Sequence, residues 1–216
     1  MSEMESRPFS MQTENTPVAH AIEAHWTALL RDQDVPRRAD IDPRVLRHVL
    51  TDCFILDNSI RHAPVFRIAG SNIATLRPNG MRGADFCQLF AAQDQRRVRQ
   101  ILALVARCPA KATLRVKRFD ANAPAQNAKM LLLPLRGEDG KVSRVLGCLD
   151  VDKPMRTTRD HTAELQLIGF SLKPVIALAR GTGLRLVVNN ANPVSKVHHS
   201  AKPPVLRVVE RAIASG

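Results

Sequence analysis

Three apolar segments in the second half of the chain constrain the fold most. They are ATLRVKRF at 112–119, KMLLLPLRG at 129–137 and SRVLGCLDV at 143–151. The first alternates apolar and basic residues, which is typical of a strand in a sheet with one solvated face. Glu138-Asp139-Gly140 between the last two favours a hairpin turn. The pattern predicts strands that follow one another in an antiparallel sheet.

Two more strands are predicted earlier in the chain. The runs CFILD at 53–57 and APVFRIAG at 63–70 have strand composition, and SIRH at 59–62 suits a connection between them. The segment between these strands and the later three is predicted to be helical. The sequence therefore predicts an α+β fold with a five-stranded sheet.

Helical segments are predicted on both sides of the first two strands. TPVAHAIEAHWTALLRD at 16–32 has a capping Thr16 followed by Pro17, a combination that suits a helix start. A short second helix is predicted from Asp42-Pro43, with Val45, Leu46, Val49 and Leu50 as its apolar side. After Gly70, three helix breakers restrict the chain to single-turn helices, and a regular helix follows at 92–108. The breakers are Pro78, Gly80 and Gly83.

The positive charge of the chain is concentrated towards its C-terminal end. The net charge is +12, and residues 153–216 carry 10 Lys and Arg against 3 Asp and Glu. We expect this segment to be a basic extension that is partly helical and partly disordered. Its main predicted helix covers 160–181 with a break at Pro174, and Leu165, Ile168, Leu172 and Val175 lie at helical spacing. A last helix is predicted within 204–216. Residues 1–14 are expected to be disordered and contain no signal or membrane segment.

The order of elements, two strands, short helices, a longer helix and three strands, is that of a PAS domain. Short motifs strengthen the likeness: VPRRADIDP at 35–43, FRIAG at 66–70, GADF at 83–86, LLLPL at 131–135 and LGCL at 146–149. The chain resembles a family of short bacterial PAS-domain proteins, over about residues 22–151. The resemblance implies a five-stranded antiparallel sheet with helices on one face, and we place this PAS-like domain at 15–152.

Most residues in these motifs have a structural interpretation. We expect Trp26 to anchor the leading helix on the sheet, and Asp40 and Asp42 to cap local turns rather than act as acids. Glycines in the motifs are expected where loops turn or where a Cβ would obstruct packing. The structural motif residues are Trp26, Asp40, Asp42, Pro43, Gly70, Gly83, Pro134 and Gly147.

No constellation for catalysis or metal binding stands out. The seven histidines are His20, His25, His48, His62, His161, His198 and His199, and only the last two are adjacent. The four cysteines, at 53, 87, 108 and 148, form no metal-binding spacing, and each has apolar neighbours. We therefore expect reduced, buried thiols in a cytoplasmic protein that is not an enzyme and binds no metal.

Cofactor-binding PAS domains provide a sharper comparison. In GADFCQLF, Cys87 lies near the position of the cysteine in flavin photosensors, but the residues that follow it differ from the flavin motif. The helix at 92–108 and the strand at 112–119 lack a histidine that could ligate haem. We expect neither flavin nor haem.

What remains is an apolar space between sheet and helices, which can hold a small apolar ligand or be packed core. Its predicted lining residues are Phe66, Ile68, Leu76, Phe86, Leu89, Leu102, Leu131 and Leu133. The leading hypothesis is a sensory or regulatory protein that pairs with itself or with a regulatory partner. The alternative is weak, non-specific nucleic-acid binding by the basic extension.

Overall fold

One antiparallel sheet organises the part of the chain that the structure describes. The computed structural model describes residues 17–30, 34–59, 63–77, 80–120, 123–151, 163–175 and 186–189. In these ranges the strands are β1 (Cys53–Asp57), β2 (Val65–Ala69), β3 (Ala110–Asp120), β4 (Ala123–Arg136), β5 (Val142–Val151), β6 (Glu164–Pro174) and β7 (Leu186–Asn189). Their order across the sheet is β2-β1-β5-β4-β3-β6-β7. The five predicted strands are confirmed, and two further strands extend the sheet.

The helices agree with most of the predicted pattern. They are α1 (Pro17–Ala28), α2 (Ser71–Ala74) and α3 (Ala92–Arg107), with short 3-10 helices at Arg38–Asp40, Leu50–Asp52 and Phe86–Leu89. The helix predicted at 92–108 is present as α3, and its apolar residues Val98, Ile101, Leu102 and Val105 are all buried. The predicted hairpin turn after β4 is also present, with Gly140 at φ +71°.

An apolar cluster lies on each face of the sheet, and the alternating side chains of β4 contribute to both. Met130 and Leu132 point into the inner core, which lies between the sheet and the segment 71–108. Leu131 and Leu133 point the other way, into the outer core, where Trp26 of α1 packs. The family resemblance implies helices on one face, and the leading helix adds a cover on the other.

The second predicted helix, from Asp42, is wrong. Residues 43–49 form turns that lead into the 3-10 helix Leu50–Asp52. Backbone hydrogen bonds here span three residues, as in Val49 N to Leu46 O at 2.9 Å. Leu46 and Val49 are buried, whereas Val45 is 52% and Leu50 39% exposed. In 3-10 geometry, side chains three residues apart lie on the same side, so Leu46 and Val49 can both be buried without a longer apolar stripe.

The helix predicted over 160–181 is wrong for residues 164–174, which form β6. This strand pairs with β3 from Ala110↔Pro174 to Phe119↔Glu164, with an irregularity at Ile168. Leu165, Leu167 and Leu172 are buried at intervals that fit a strand once that extra residue is allowed. The free edge of β3 supplies backbone partners that an isolated sequence pattern cannot reveal.

The predicted disordered segment 1–14 and the last predicted helix, within 204–216, lie outside the described residues. Part of the predicted extension nevertheless belongs to the sheet, since β6 and β7 continue it. No helix in the described ranges is long and apolar enough to cross a membrane.

Candidate functional site

Five of the eight predicted pocket residues come together in the inner core. Phe66, Leu76, Phe86, Leu89 and Leu102 are each at most 2% exposed and belong to one apolar cluster. They come from β2, from the short helices and turns after it, and from α3. The structure therefore brings these residues together as the sequence predicts.

Four aromatic rings occupy the centre of this inner core. The ring centroids of Phe54, Phe66 and Phe86 are 5.6 Å apart in each pair, and Phe90 lies 5.5 Å from Phe86. Each ring is at most 1% exposed. These tilted and edge-on contacts are favoured geometries for aromatic pairs. Sequence reasoning missed Phe54, although its alternation with Leu56 in β1 indicates that both share the inner face.

Three predicted pocket residues lie elsewhere, so that part of the prediction is wrong. Leu131 and Leu133 belong to the outer core, because neighbouring residues of a strand face opposite sides. Ile68 is 50% exposed. A register shift opposite Ile55 and Leu56 leaves Arg67 as an extra residue in β2, which turns Ile68 away from the face of Phe66.

Gly147 creates the space that the aromatic cluster needs. A Cβ at this position would lie 2.3 Å from the ring of Phe54 and 3.0 Å from the carbonyl oxygen of Leu131. Phe54 is directly opposite Gly147 in the β1–β5 ladder. The motif LGCL therefore contains a glycine because the aromatic ring lies directly over the backbone.

Trp26 and Pro134 form the main polar link of the outer core. The Trp26 indole Nε1 donates a hydrogen bond to the carbonyl oxygen of Pro134 at 2.9 Å, and the Trp26 side chain is fully buried. β3 pairs with β4 only as far as Ala112↔Leu132, so Pro134 lies beyond the last pair. A proline is tolerated there because its missing N–H has no strand to bond, and the carbonyl accepts from the indole instead. The predicted anchoring role of Trp26 fits this geometry.

Asp40 and Asp42 bind backbone groups in the turns that precede β1. The Asp40 carboxylate accepts a hydrogen bond from Arg37 N at 2.9 Å, and Asp42 accepts one from Arg44 N at 2.8 Å. Both side chains and Pro43 are exposed. The two carboxylates therefore have the local capping geometry expected of turns.

The remaining motif glycines shape the chain around β2. Gly70 N donates to Cys53 O at 2.8 Å, and a Cβ on Gly70 would lie 2.1 Å from Leu50 O. Gly83 N donates to Phe66 O at 2.7 Å. This contact places the segment after α2 against the outer edge of β2, which limits pairing by other strands.

The buried thiols are unreactive in this arrangement. Cys87 is fully buried, and burial raises the pKa of its thiol to about 12. Asp85 accepts a hydrogen bond from Cys87 N at 2.8 Å and one from Arg99 at 3.1 Å. Cys108 is exposed, which corrects the prediction that every cysteine is buried. In the described ranges no three His, Cys, Asp or Glu side chains are placed to hold a metal ion.

A compact charge cluster lies at the end of β1. The Asp57 carboxylate accepts from Arg67 at 2.6 Å and from Arg144 at 2.7 Å. Burial raises the pKa of Asp57, but the hydrogen bonds from Arg67 and Ser59 and the charge of Arg144 outweigh it, so the pKa is lowered overall. Asp57 is therefore ionised and joins β1, β2 and β5 at one point.

A second charged group lies beside α1 on the outer face of the sheet. Glu23 forms an ion pair with Lys111, which is 8% exposed. Lys129 is opposite Asp150 in the β4–β5 ladder. Burial lowers the pKa of Lys129, and the nearby charge of Glu23 opposes that change. This group connects the leading helix to three strands.

The chain matches a known protein family over more than half of its length. A family model described as a PAS domain matches residues 14–150. A solved structure described as "Flavin Analogue Sheds Light on Light-Oxygen-Voltage Domain Mechanism" is similar to the chain at 17% identity. The match covers 51% of this chain and 83% of that chain, with a TM-score of 0.39. No match was found among curated proteins.

Proposed function

Since this chain belongs to the PAS-domain family, whose role is sensory and regulatory, we propose that it is a non-enzymatic regulatory protein that acts by pairing with a second copy of itself. The exposure of Ile68 carries this proposal. Ile68 lies in edge strand β2 and is 50% exposed, whereas Phe66 of the same strand is 1% exposed. An apolar side chain held outward by a bulge is a feature that association with another surface would use.

Two further exposed apolar side chains lie in the segment that leads into β1, the strand paired with β2. Leu50 is 39% and Val45 52% exposed. The 3-10 helix of Leu50 contacts α2, which follows β2 directly, and Gly70 lies against the carbonyl of Leu50. We name Val45, Leu50 and Ile68 the contact patch. Its burial between two copies would remove apolar surface from water on both sides of a symmetric interface.

The inner core supports a structural rather than a catalytic role. Its centre is built from contacting phenylalanine rings, and its thiol, Cys87, is held protonated by burial. A small apolar ligand in this space is the competing hypothesis, and it would have to displace at least one of these rings. The free cysteines favour a reducing compartment, which supports action in the cytoplasm.

Sedimentation equilibrium of three proteins tests the proposed pairing. We expect the wild type to associate as its concentration rises, and Ile68→Asp to remain monomeric because a charge cannot be buried in an apolar interface. Leu104→Asp is the matched control, since Leu104 is a large apolar residue that is 39% exposed on α3. The control should associate like the wild type. A monomeric wild type, or equal loss of association in both variants, would contradict the proposal.

Nucleic-acid binding is a second candidate function, favoured by the outer face of β3. Arg115 and Lys117 lie two residues apart on the outer face of β3; Arg115 is exposed and Lys117 is half-buried. Cations aligned along one strand can bind a polyanion through its phosphates. Fluorescence anisotropy with a single-stranded oligonucleotide tests this function. Lys117→Glu, a change on the same strand, should weaken binding, whereas Ile68→Asp should leave it unchanged.

A further inference from the structure

Two cysteines lie directly opposite each other on two adjacent strands of the sheet. Cys53 begins β1 and is paired with Cys148 of β5 in an unshifted ladder. Asn58 N donates to Ser143 O at 2.8 Å, which identifies that position as a hydrogen-bonded pair. Hydrogen-bonded and non-hydrogen-bonded pairs alternate along an antiparallel ladder. Since Asn58 is in a hydrogen-bonded pair, the odd-numbered residues of β1, including Cys53, are in non-hydrogen-bonded pairs.

A separate contact supports this assignment. The carbonyl of Cys53 accepts a hydrogen bond from Gly70 N at 2.8 Å, so it points away from β5. In non-hydrogen-bonded pairs the Cα atoms are about 4.5 Å apart and the side chains approach most closely. Disulfides span Cα separations of about 4.4–6.8 Å. The backbone therefore already has a spacing that a disulfide bond can bridge.

Both thiols lie under the same cover. Cys53 is 6% exposed, Cys148 is fully buried, and both pack in the outer core with Trp26, Leu46 and Val49. We use the name cover for α1 together with residues 34–52. The Cys53 thiol donates to Val49 O at 3.1 Å, so the cover contacts the reactive atom itself. Burial raises the pKa of Cys53 to about 12 and raises that of Cys148 as well, so both stay protonated and unreactive while covered.

We propose that Cys53 and Cys148 are a reversible disulfide site whose oxidation requires the cover to move away from the sheet. The oxidant is a small-molecule disulfide. One cysteine loses its proton, attacks a sulfur of that disulfide and releases one small thiol, which leaves a mixed disulfide on the protein. The second cysteine then attacks the protein sulfur of the mixed disulfide and releases the other small thiol. Two protein thiols are oxidised, and one disulfide is reduced to two thiols.

The cover limits the rate of oxidation, because the first attack by a cysteine needs space for the small disulfide and water around the sulfur. With α1 and Val49 in place, the small disulfide cannot reach either sulfur. When the cover opens, water restores the thiol pKa values towards their usual range of about 8.5. Whatever displaces the cover therefore promotes oxidation, and closure protects the pair.

Oxidation of the folded, full-length chain by oxidised glutathione tests the site. Cys108→Ser is used as the background, because Cys108 is exposed and would form links between molecules. After alkylation and digestion, we expect peptides that contain Cys53 and Cys148 to be linked, with the loss of two hydrogens, and dithiothreitol to separate them. Cys87 is the internal control, since it is fully buried with a thiol pKa of about 12 but has no cysteine opposite it in the described ladders. It should remain a free thiol.

Variants separate the site from general unfolding. In Cys148→Ser the reaction should stop at a glutathione adduct on Cys53. Trp26→Phe should speed formation of the Cys53–Cys148 link by about tenfold, since it removes the hydrogen bond that holds the cover. If this variant does not fold, urea below the unfolding transition replaces it. Absence of the link in folded protein, or oxidation of Cys87 at the same rate as Cys53, would overturn the proposal.

Discussion

The indole of Trp26 donates a hydrogen bond to the carbonyl oxygen of Pro134, 108 residues further along the chain. This contact joins α1 to β4 beyond the last residue pair between β3 and β4. This hydrogen bond therefore accounts both for the proline in a central strand and for the buried tryptophan in the leading helix. Together they fix the cover on the outer face of the sheet.

Trp26→Phe tests this contact. The substitution keeps an aromatic ring but leaves the Pro134 carbonyl without its buried donor, so we expect a loss of about 1–3 kcal/mol in the free energy of unfolding. Urea unfolding followed by far-ultraviolet circular dichroism measures it, since Trp26 is the one tryptophan of the chain. Leu104→Ala, at an exposed site, should change stability by about 0.5 kcal/mol or less. Equal stability of the wild type and Trp26→Phe would show that the hydrogen bond contributes nothing.

Asp57→Asn tests the charge cluster that joins β1, β2 and β5. The pKa of Asp57 is lowered in the folded state, so its contribution is present above the unfolded pKa of about 3.9 and is lost as the pH falls through the folded value. Because Arg67 is largely exposed, we expect a loss of only about 1–2 kcal/mol at neutral pH. Unfolding free energies of both proteins across the acid range should converge as the pH falls. A constant difference down to the lowest pH would contradict this assignment.

Gly147→Ala tests the close approach of Phe54 to the β5 backbone. The new methyl group would lie 2.3 Å from a ring that is itself enclosed by Phe66 and Phe86, so the ring cannot move aside freely. Overpacking of this kind costs about 1–3 kcal/mol. The control is Gly80→Ala, where no atom lies within 4 Å of the added Cβ and only the positive φ of +83° opposes it. Thermal unfolding should show the larger loss for Gly147→Ala.

Removal of residues 152–216 tests whether β6 is part of the sheet's stability. Its loss would leave the edge of β3 without partners and would also remove the bond from Leu167 N to the Asp94 carboxylate at 2.9 Å. We expect the shortened chain to unfold at a lower temperature and to aggregate through its open edge. A chain that ends at residue 189 should behave like the full-length protein. If the two shortened chains are equally stable, β6 adds nothing to the domain.

The sequence predicts the elements whose residues carry local signals. Alternation in β3, Gly140 in the turn after β4 and the apolar stripe of α3 all lie where the pattern predicts them. The contact of Pro134 could not be predicted in this way. Its carbonyl oxygen accepts a hydrogen bond from Trp26, which is 108 residues away, and no local pattern reveals that pairing. The spacing of apolar residues in β6 is likewise insufficient to predict its structure. Leu165 and Leu172 fit helical spacing, and they fit a strand only with the extra residue at Ile168. The free edge of β3 decides between the two structures.

The prediction of the pocket is wrong for residues whose side-chain orientation depends on strand register. One extra residue in β2 turns Ile68 outward, and simple alternation sends Leu131 and Leu133 to the outer core. The opposition of Cys53 and Cys148 is likewise a property of the register between β1 and β5. Neither the bulge nor the register has a signature in the sequence, since both arise from pairing between distant segments.

Amide NMR spectra recorded over a range of protein concentrations test the proposed pairing most directly. We expect the concentration-dependent shifts to cluster around Val45, Leu50 and Ile68, because these side chains form the contact patch. Amides around Leu104 on α3 and Lys117 on β3 should not move. Shifts confined to α3 or to the outer face of β3, or spectra that do not change with concentration, would contradict regulation by self-association through this patch.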